Sequence, residues 1–173
     1  VVAEGCWSAV CVGEGEEALL ELVQRLEAGL DYADLPGWWL MRGGQAIRNP
    51  LRPLRQDLDS LPFADRELFA YDDILQANGG WVDMMSGRGC PYDCSYCCNP
   101  GLKARYRGLG KYVRFRSVAN VLAEIAALRA RYPVRTINFQ DDTFTLDRHW
   151  TLEFCSAYAR ECSLPFWINT RVE

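Results

Sequence analysis

Apolar positions along the chain change their period several times, and each change marks an element. Residues 9–13 form a short apolar run closing on Gly13-Glu14-Gly15-Glu16, which predicts a strand entering a helix. Leu19, Leu22, Val23 and Leu26 follow at helical spacing on one face. Glu14, Glu16 and Glu17 sit at or just before the first turn, where acidic groups favour the helix dipole. From Asp34 to Pro62 the periodicity breaks up. Pro36, Pro50, Pro53 and Pro62, with Gly37, Gly43 and Gly44, predict an irregular connecting arm, and Trp38 and Trp39 imply that part of it packs on something.

Beyond residue 81 the pattern becomes regular. Trp81 to Ser86 predicts a strand leading into Gly87-Arg88-Gly89 and a group of cysteines. Ser117 is a suitable N-cap for a helix burying Val118, Val121, Leu122, Ile125 and Leu128. Pro133 stops that helix, and Val134 to Phe139 predicts a buried strand. A second helix over roughly 147–162 is expected to bury Trp150, Phe154, Cys155 and Tyr158, and a third strand starts over Pro165 to Ile168. Strand, long loop, helix, strand, helix, strand is the alternation of an α/β fold with a parallel sheet and right-handed crossovers.

Composition narrows the classes. Of 173 residues 49% are apolar and 24% charged, a globular balance that excludes a disordered chain. No run approaches the ~20 apolar residues of a membrane span. A net charge of −4 gives no reason to expect nucleic acid as a partner. The 8 cysteines fall below the ~8–10% that marks a disulfide scaffold. With no signal-peptide pattern the expected compartment is the reducing cytoplasm, where clustered cysteines suit metals better than disulfides.

The cluster is Cys90-Pro91-Tyr92-Asp93-Cys94-Ser95-Tyr96-Cys97, a CxxxCxxC spacing followed directly by Cys98. Three thiolates in one loop can hold one face of a metal centre, whereas structural zinc usually takes four ligands. The one histidine, His149, has no partner at metal-binding spacing. A three-thiolate centre leaves a metal position open, as substrate binding requires. A non-catalytic zinc or disulfide loop is the alternative of a different class. The ends of all three predicted strands are polar: Cys90 follows the first, Gln140-Asp141-Asp142-Thr143 the second, and Asn169-Thr170-Arg171 the third. Parallel (β/α) barrels build their sites at those ends.

With Tyr96 as the aromatic residue of CxxxCxΦC, the sequence resembles the radical S-adenosylmethionine (radical SAM) superfamily. The resemblance implies that Cys90, Cys94 and Cys97 ligate a 4Fe-4S cluster, with Cys98 a bystander. It further implies that S-adenosylmethionine binds the fourth iron, with Tyr96 against its adenine, and that reductive cleavage yields a 5′-deoxyadenosyl radical. Asp141 and Asp142 take the place of the second-strand motif that contacts the cofactor's amino group. They depart from its common Gly-Gly-Glu form, but Asp-Asp-x-Phe is typical of the cobalamin-binding subgroup. Capping of the next turn is the alternative for these aspartates. Asn169 and Arg171 are further cofactor-side candidates, and no residue is assigned as catalytic acid or base.

The segments 11–16, 35–37 (Leu-Pro-Gly) and 58–62 (Leu-Asp-Ser-Leu-Pro) resemble the join between domains in cobalamin-dependent members. On that resemblance residues 1–33 end a Rossmann-like cobalamin-binding domain, 34–80 link, and 81–173 begin a radical SAM barrel with its first three strands. Such a piece would be inactive alone and poorly soluble through its open sheet edge. Cobalamin, a small-molecule substrate and a flavodoxin- or ferredoxin-like electron donor are implied, with methyl transfer one outcome and methylthiotransfer the close alternative. Asp147-Arg148-His149 does not continue into a cobalamin-ligating D-x-H-x-x-G pattern, because Leu152 stands at the glycine position. Six basic residues and no acidic ones lie between Asp93 and Glu124 (Lys103, Arg105, Arg107, Lys111, Arg114 and Arg116), suited to an anion or to a solvated face.

Overall fold

A computed structural model of the chain describes residues 7–171, so the first six residues of the 1–33 segment lie outside the described residues. The chain divides into two compact units, residues 1–54 with 106–110, and residues 55–105 with 111–173.

In the first unit, β1 (Ala9–Cys11), β2 (Trp38–Arg42) and β3 (Gln45–Arg48) form an antiparallel sheet in that order. Helix α1 (Glu16–Glu27) connects β1 to the hairpin, and Ala18, Leu35, Trp38 and Leu40 form the core. The Trp38 indole N–H donates to the Ala18 carbonyl at 3.0 Å, which ties the hairpin to the helix. The stretch expected to be an irregular arm thus holds two paired strands. Its Gly43-Gly44 step, φ 56° and 77°, is a two-residue hairpin turn needing positive φ at both positions. The acid-rich α1 is held by its own charges: Arg52 and Arg25 donate to Glu21 at 2.8 and 3.1 Å. The Arg52 hydrogen bond keeps the Glu21 carboxyl below its ordinary range.

The second unit is built on a parallel sheet, β4 (Trp81–Met84), β7 (Thr136–Phe139) and β8 (Phe166–Ile168), in that order. Helices α4 (Val118–Arg131) and α5 (Arg148–Glu161) make the two crossovers, as the alternation predicts. A short helix α2 (Tyr71–Ala77) precedes β4. Between β4 and α4 the long loop contains two-residue strands β5 (Gly87–Arg88) and β6 (Arg114–Phe115), paired antiparallel, and helix α3 (Asn99–Arg105).

Ser117 caps α4 by accepting from the Asn120 N–H at 3.1 Å, and Asp147 caps α5 by accepting from the Trp150 N–H at 3.0 Å. Asp147 therefore has a local role inside the segment rejected as a cobalamin ligand. Val82, Met84, Ile137 and Phe139 alternate along β4 and β7 and pack with Val121, Leu122, Ile125 and Leu128 of α4. An aromatic group fills the α5 side: Phe139, Phe144, Trp150, Phe154 and Tyr158, with Trp150 and Phe154 stacked 5.3 Å apart. Cys155 is exposed, contrary to expectation. It lies 100° around the helix from Phe154, while Ala157 and Tyr158 complete the buried stripe.

The opposite face of the sheet is mixed, with the Trp81 and Trp167 rings 5.6 Å apart beside polar Asp83 and Asn138. Asp83 accepts from Asn138 Nδ2 and Gln140 Nε2 at 2.7 and 2.8 Å. Among the described residues no helix is long and apolar enough to cross a membrane.

Phe154→Ala is expected to lower the unfolding free energy by about 3–5 kcal/mol. Cys155→Ser, one residue along on the exposed side, should stay within about 0.5 kcal/mol. Urea denaturation midpoints check both.

Candidate metal centre

The cysteine loop begins where β4 ends, and two glycines let it do so. A side chain on Gly89, at φ 86°, would overlap the Tyr112 carbonyl, and one on Gly87 would lie 2.8 Å from the Arg114 carbonyl. Both approaches come from the β6 segment, which pairs antiparallel with β5, so positions 87 and 89 on either side of Arg88 tolerate no Cβ.

Immediately before it, Ser86 is fully buried. Its N–H donates to Asp141 Oδ2 at 3.0 Å and its hydroxyl to Asp141 Oδ1 at 2.8 Å. Asp141, 3% exposed, therefore latches the end of β7 to the start of the cysteine segment. Burial pushes its carboxyl above the ordinary 3.8, and the hydrogen bonds from Ser86 and Gly87 oppose that rise. The end of β8 joins the same turn: Asn169 Nδ2 donates to the Asp141 carbonyl at 3.2 Å, and the Phe144 N–H donates to the Asn169 carbonyl at 2.9 Å.

Each motif sulfur has a polar neighbour. Cys90 is buried, with its Sγ 3.7 Å from Thr143 Oγ1. Cys94 Sγ accepts from Arg171 Nη1 at 3.5 Å. Cys97 Sγ accepts from the Asn99 N–H at 3.4 Å and Asn99 Nδ2 at 3.5 Å. The backbone and then the side-chain hydrogen bond from Asn99 hold the Cys97 thiol below its ordinary 9.0, against desolvation and the charge of Asp142. Tyr112 fixes the amide by donating to Asn99 Oδ1 at 2.7 Å. The Asn99 donors favour thiolate over thiol at Cys97, and hydrogen bonds to sulfur are a standard support of iron–sulfur ligation.

Among the described residues no three Cys, His, Asp or Glu side chains are gathered tightly enough to hold one metal ion. Three thiols in one loop, each with a polar neighbour at its sulfur, are a donor set that fits a cluster taking each thiolate on a different iron.

The remaining candidates separate clearly. Tyr96 is 92% exposed, leaving its ring free to meet a ligand, and Cys98 is exposed. Asp142 is exposed while Asp141 is consumed by the latch. From the β8 end Arg171 reaches the cysteine loop, while Asn169 reaches the turn at Asp141. Three of the six basic residues are committed within the fold. Lys103 bonds Asp93 and the Pro91 carbonyl at 2.6 and 2.7 Å, Arg114 donates to the Arg55 carbonyl at 2.8 Å, and Arg116 pairs with buried Glu124 at 2.6 Å. The sequence pattern gives no role to Ser86, Tyr92, Asn99 or Tyr112, and marks Thr143 only as part of a polar strand end. The available signals are adjacency alone: Asn99 lies two residues after Cys97, and Thr143 follows Asp142.

A parallel α/β sheet with three thiols at its strand ends defines a class of cofactor-dependent α/β proteins, and comparison with known proteins narrows it. Residues 84–171 match the radical SAM superfamily, and the chain belongs to that superfamily. An uncharacterized methyltransferase of Pyrococcus horikoshii is 33% identical over 83% of this chain and 30% of its own length. The anaerobic magnesium-protoporphyrin IX monomethyl ester cyclase of Synechocystis is 30% identical over 93% of this chain and 31% of its own. The fold is shared with the radical SAM methyltransferase TsrM of Kitasatospora setae, at a TM-score of 0.66 and 20% identity, over 94% of this chain and 32% of that one. It is shared equally with the cobalamin-dependent radical enzyme OxsB, at a TM-score of 0.69 and 18% identity, over 91% of this chain and 22% of that one. The chain spans about a third of the length of the curated relatives it matches.

Asp141→Ala should leave the buried Ser86 N–H unpartnered and cost about 1–3 kcal/mol. Asp141→Asn should keep most of that, because an amide can accept from the N–H and donate to the hydroxyl. The folded chain holds the Asp141 proton more tightly than the unfolded chain. Stability should therefore fall as pH rises from 3.8 through the raised folded-state value. Asp141→Asn should not show that fall, and urea unfolding of both proteins across this range measures the difference.

Proposed function

We propose that this chain is part of a radical SAM enzyme in which Cys90, Cys94 and Cys97 hold a 4Fe-4S cluster and S-adenosylmethionine binds beside it. The single observation that carries the reading is the set of polar neighbours, one on each motif sulfur, at the ends of β7 and β8 and the start of α3. When bound and reduced, such a cluster supplies the electron that cleaves S-adenosylmethionine to a 5′-deoxyadenosyl radical.

The chain's own residues divide the work. The Asp141 latch sets where the loop begins, with Asn169 bracing the Asp141 backbone. Asp142 is the free carboxylate, close enough for its charge to act on Cys97, and is assigned the cofactor's cationic amino group. Tyr96 offers its exposed ring to the adenine. Arg171 stands on the cofactor side at the end of β8. The barrel assignment for 81–173 is supported by the parallel sheet, and 1–33 as the end of a cobalamin-binding domain, with 34–80 as its link, is supported by the segment order alone.

Cobalamin enters through the relatives, two of which are solved with it bound, and no described side chain is assigned to it. A small-molecule substrate, methyl transfer, a low-potential flavodoxin- or ferredoxin-like donor and a cytoplasmic location complete the proposal. Relatives named as methyltransferases support the methyl transfer, and a loop of free thiols suits a reducing compartment.

Anaerobic reconstitution of the complete protein with iron and sulfide tests it. Cys90→Ala, Cys94→Ala and Cys97→Ala should each abolish the cluster, Cys98→Ala should retain it, and reduction should release 5′-deoxyadenosine from S-adenosylmethionine. Stoichiometric zinc with no cluster uptake would sink the reading. Loss of a charge-assisted hydrogen bond at about 1.5–3 kcal/mol should weaken S-adenosylmethionine binding about tenfold or more in Asp142→Asn. Asp141→Asn should bind nearly as wild type, and equilibrium dialysis compares the two.

A further inference from the structure

The polar neighbours of the three motif sulfurs are not equivalent. Cys90 meets a neutral hydroxyl and Cys97 meets neutral amide N–H groups, but Cys94 meets a guanidinium. That guanidinium also lies over the Tyr92 ring, 4.0 Å from its centroid. Tyr92 and Cys94 are two residues apart in the same loop, so Arg171 is fixed to the loop at two points from the end of β8. The stack matters because Arg171 is exposed: a planar cation held on a ring gives up less freedom to reach the sulfur than a free one would.

Resting on the function proposed above, we infer that Arg171 is a positioning residue that sets the cluster's reduction potential through the Cys94 sulfur. Reduction adds one electron from an external low-potential donor, dithionite in the assay, and makes or breaks no bond. The reduced cluster carries one more negative charge, which a cation at one ligating sulfur stabilises, and hydrogen bonds to sulfur act in the same direction. Arg171 thereby makes the electron easier to deliver. Tyr92 holds it in register.

The test is the midpoint potential of the reconstituted complete protein, read by electron paramagnetic resonance during redox titration without S-adenosylmethionine. Arg171→Gln should load iron and sulfide as wild type while its reduction equilibrium becomes about tenfold less favourable, about 59 mV lower for a one-electron couple. Arg171→Lys keeps the charge without the planar face and should fall between the two. Tyr92→Leu should shift in the same direction by less. Unchanged potentials in both arginine variants would overturn the inference, as would a shift seen only when S-adenosylmethionine is present, which would place Arg171 on that ligand instead. If Arg171→Gln does not load, Arg171→Lys decides alone: a lowered midpoint supports the inference and a wild-type midpoint overturns it. Loss of the cluster from both variants also overturns it, since Arg171 would then serve the loop's fold. Failure of the wild-type protein to take up a cluster refutes the proposed function, a separate outcome.

Discussion

The geometry at the strand ends depends on one buried interaction, the Asp141 carboxylate on Ser86. Parallel pairing brings Met84 opposite Phe139, and two residues further on in each strand the chain must leave the sheet. Both oxygens of Asp141 are used there, one on the Ser86 N–H and one on its hydroxyl. Withdrawing a carboxylate from water is expensive unless it is hydrogen-bonded, and these bonds offset that loss. Cys90 lies four residues beyond Ser86, with only the glycine crossing between. Thr143 reaches Cys90 from the same turn, and Asn169 braces the Asp141 carbonyl from β8. A shift of this carboxylate would move a ligand, its neighbour and the third strand together.

Much of this was legible in the sequence because long periodic segments report burial directly. The α4 stripe and the Ser117 cap appear where spacing and side-chain chemistry place them, and the parallel order follows from the alternation. The arm misled because its glycines and prolines are turn signals, and turn signals also bound short strands. Gly43-Gly44 closes a hairpin within a stretch that reads as irregular. Strands β5 and β6 have two residues each, too short for any period to show. Helix α3 contains Pro100 and Gly101, both discouraging signals, although proline is acceptable in a first turn.

Side-chain commitments across long separations were the least legible part. Six basic residues in a row of neighbours suggest an anion-facing surface. Yet Arg116 is spent on Glu124, and Lys103 clamps the cysteine loop through Asp93 and Pro91. The same limit applies to Asp141 and Asp142. Adjacent and chemically identical, they are separated only by which one the fold buries: just past the end of β7 Asp141 turns onto Ser86 while Asp142 stays exposed.

That separation has an electrostatic consequence. With Asp141 turned inward, Asp142 is the exposed carboxylate just past β7, beside a loop in which Asn99 holds the Cys97 thiol below its ordinary value. Asp142 acts against Cys97 ionisation, and Lys103, the nearest lysine on α3, is already paired. Two like-signed groups held this close by a rigid sheet favour a ligand that brings positive charge between them. S-adenosylmethionine carries a fixed sulfonium and an ammonium. On the proposed function, these positive charges would lie beside Asp142 and offset its unfavourable action on Cys97.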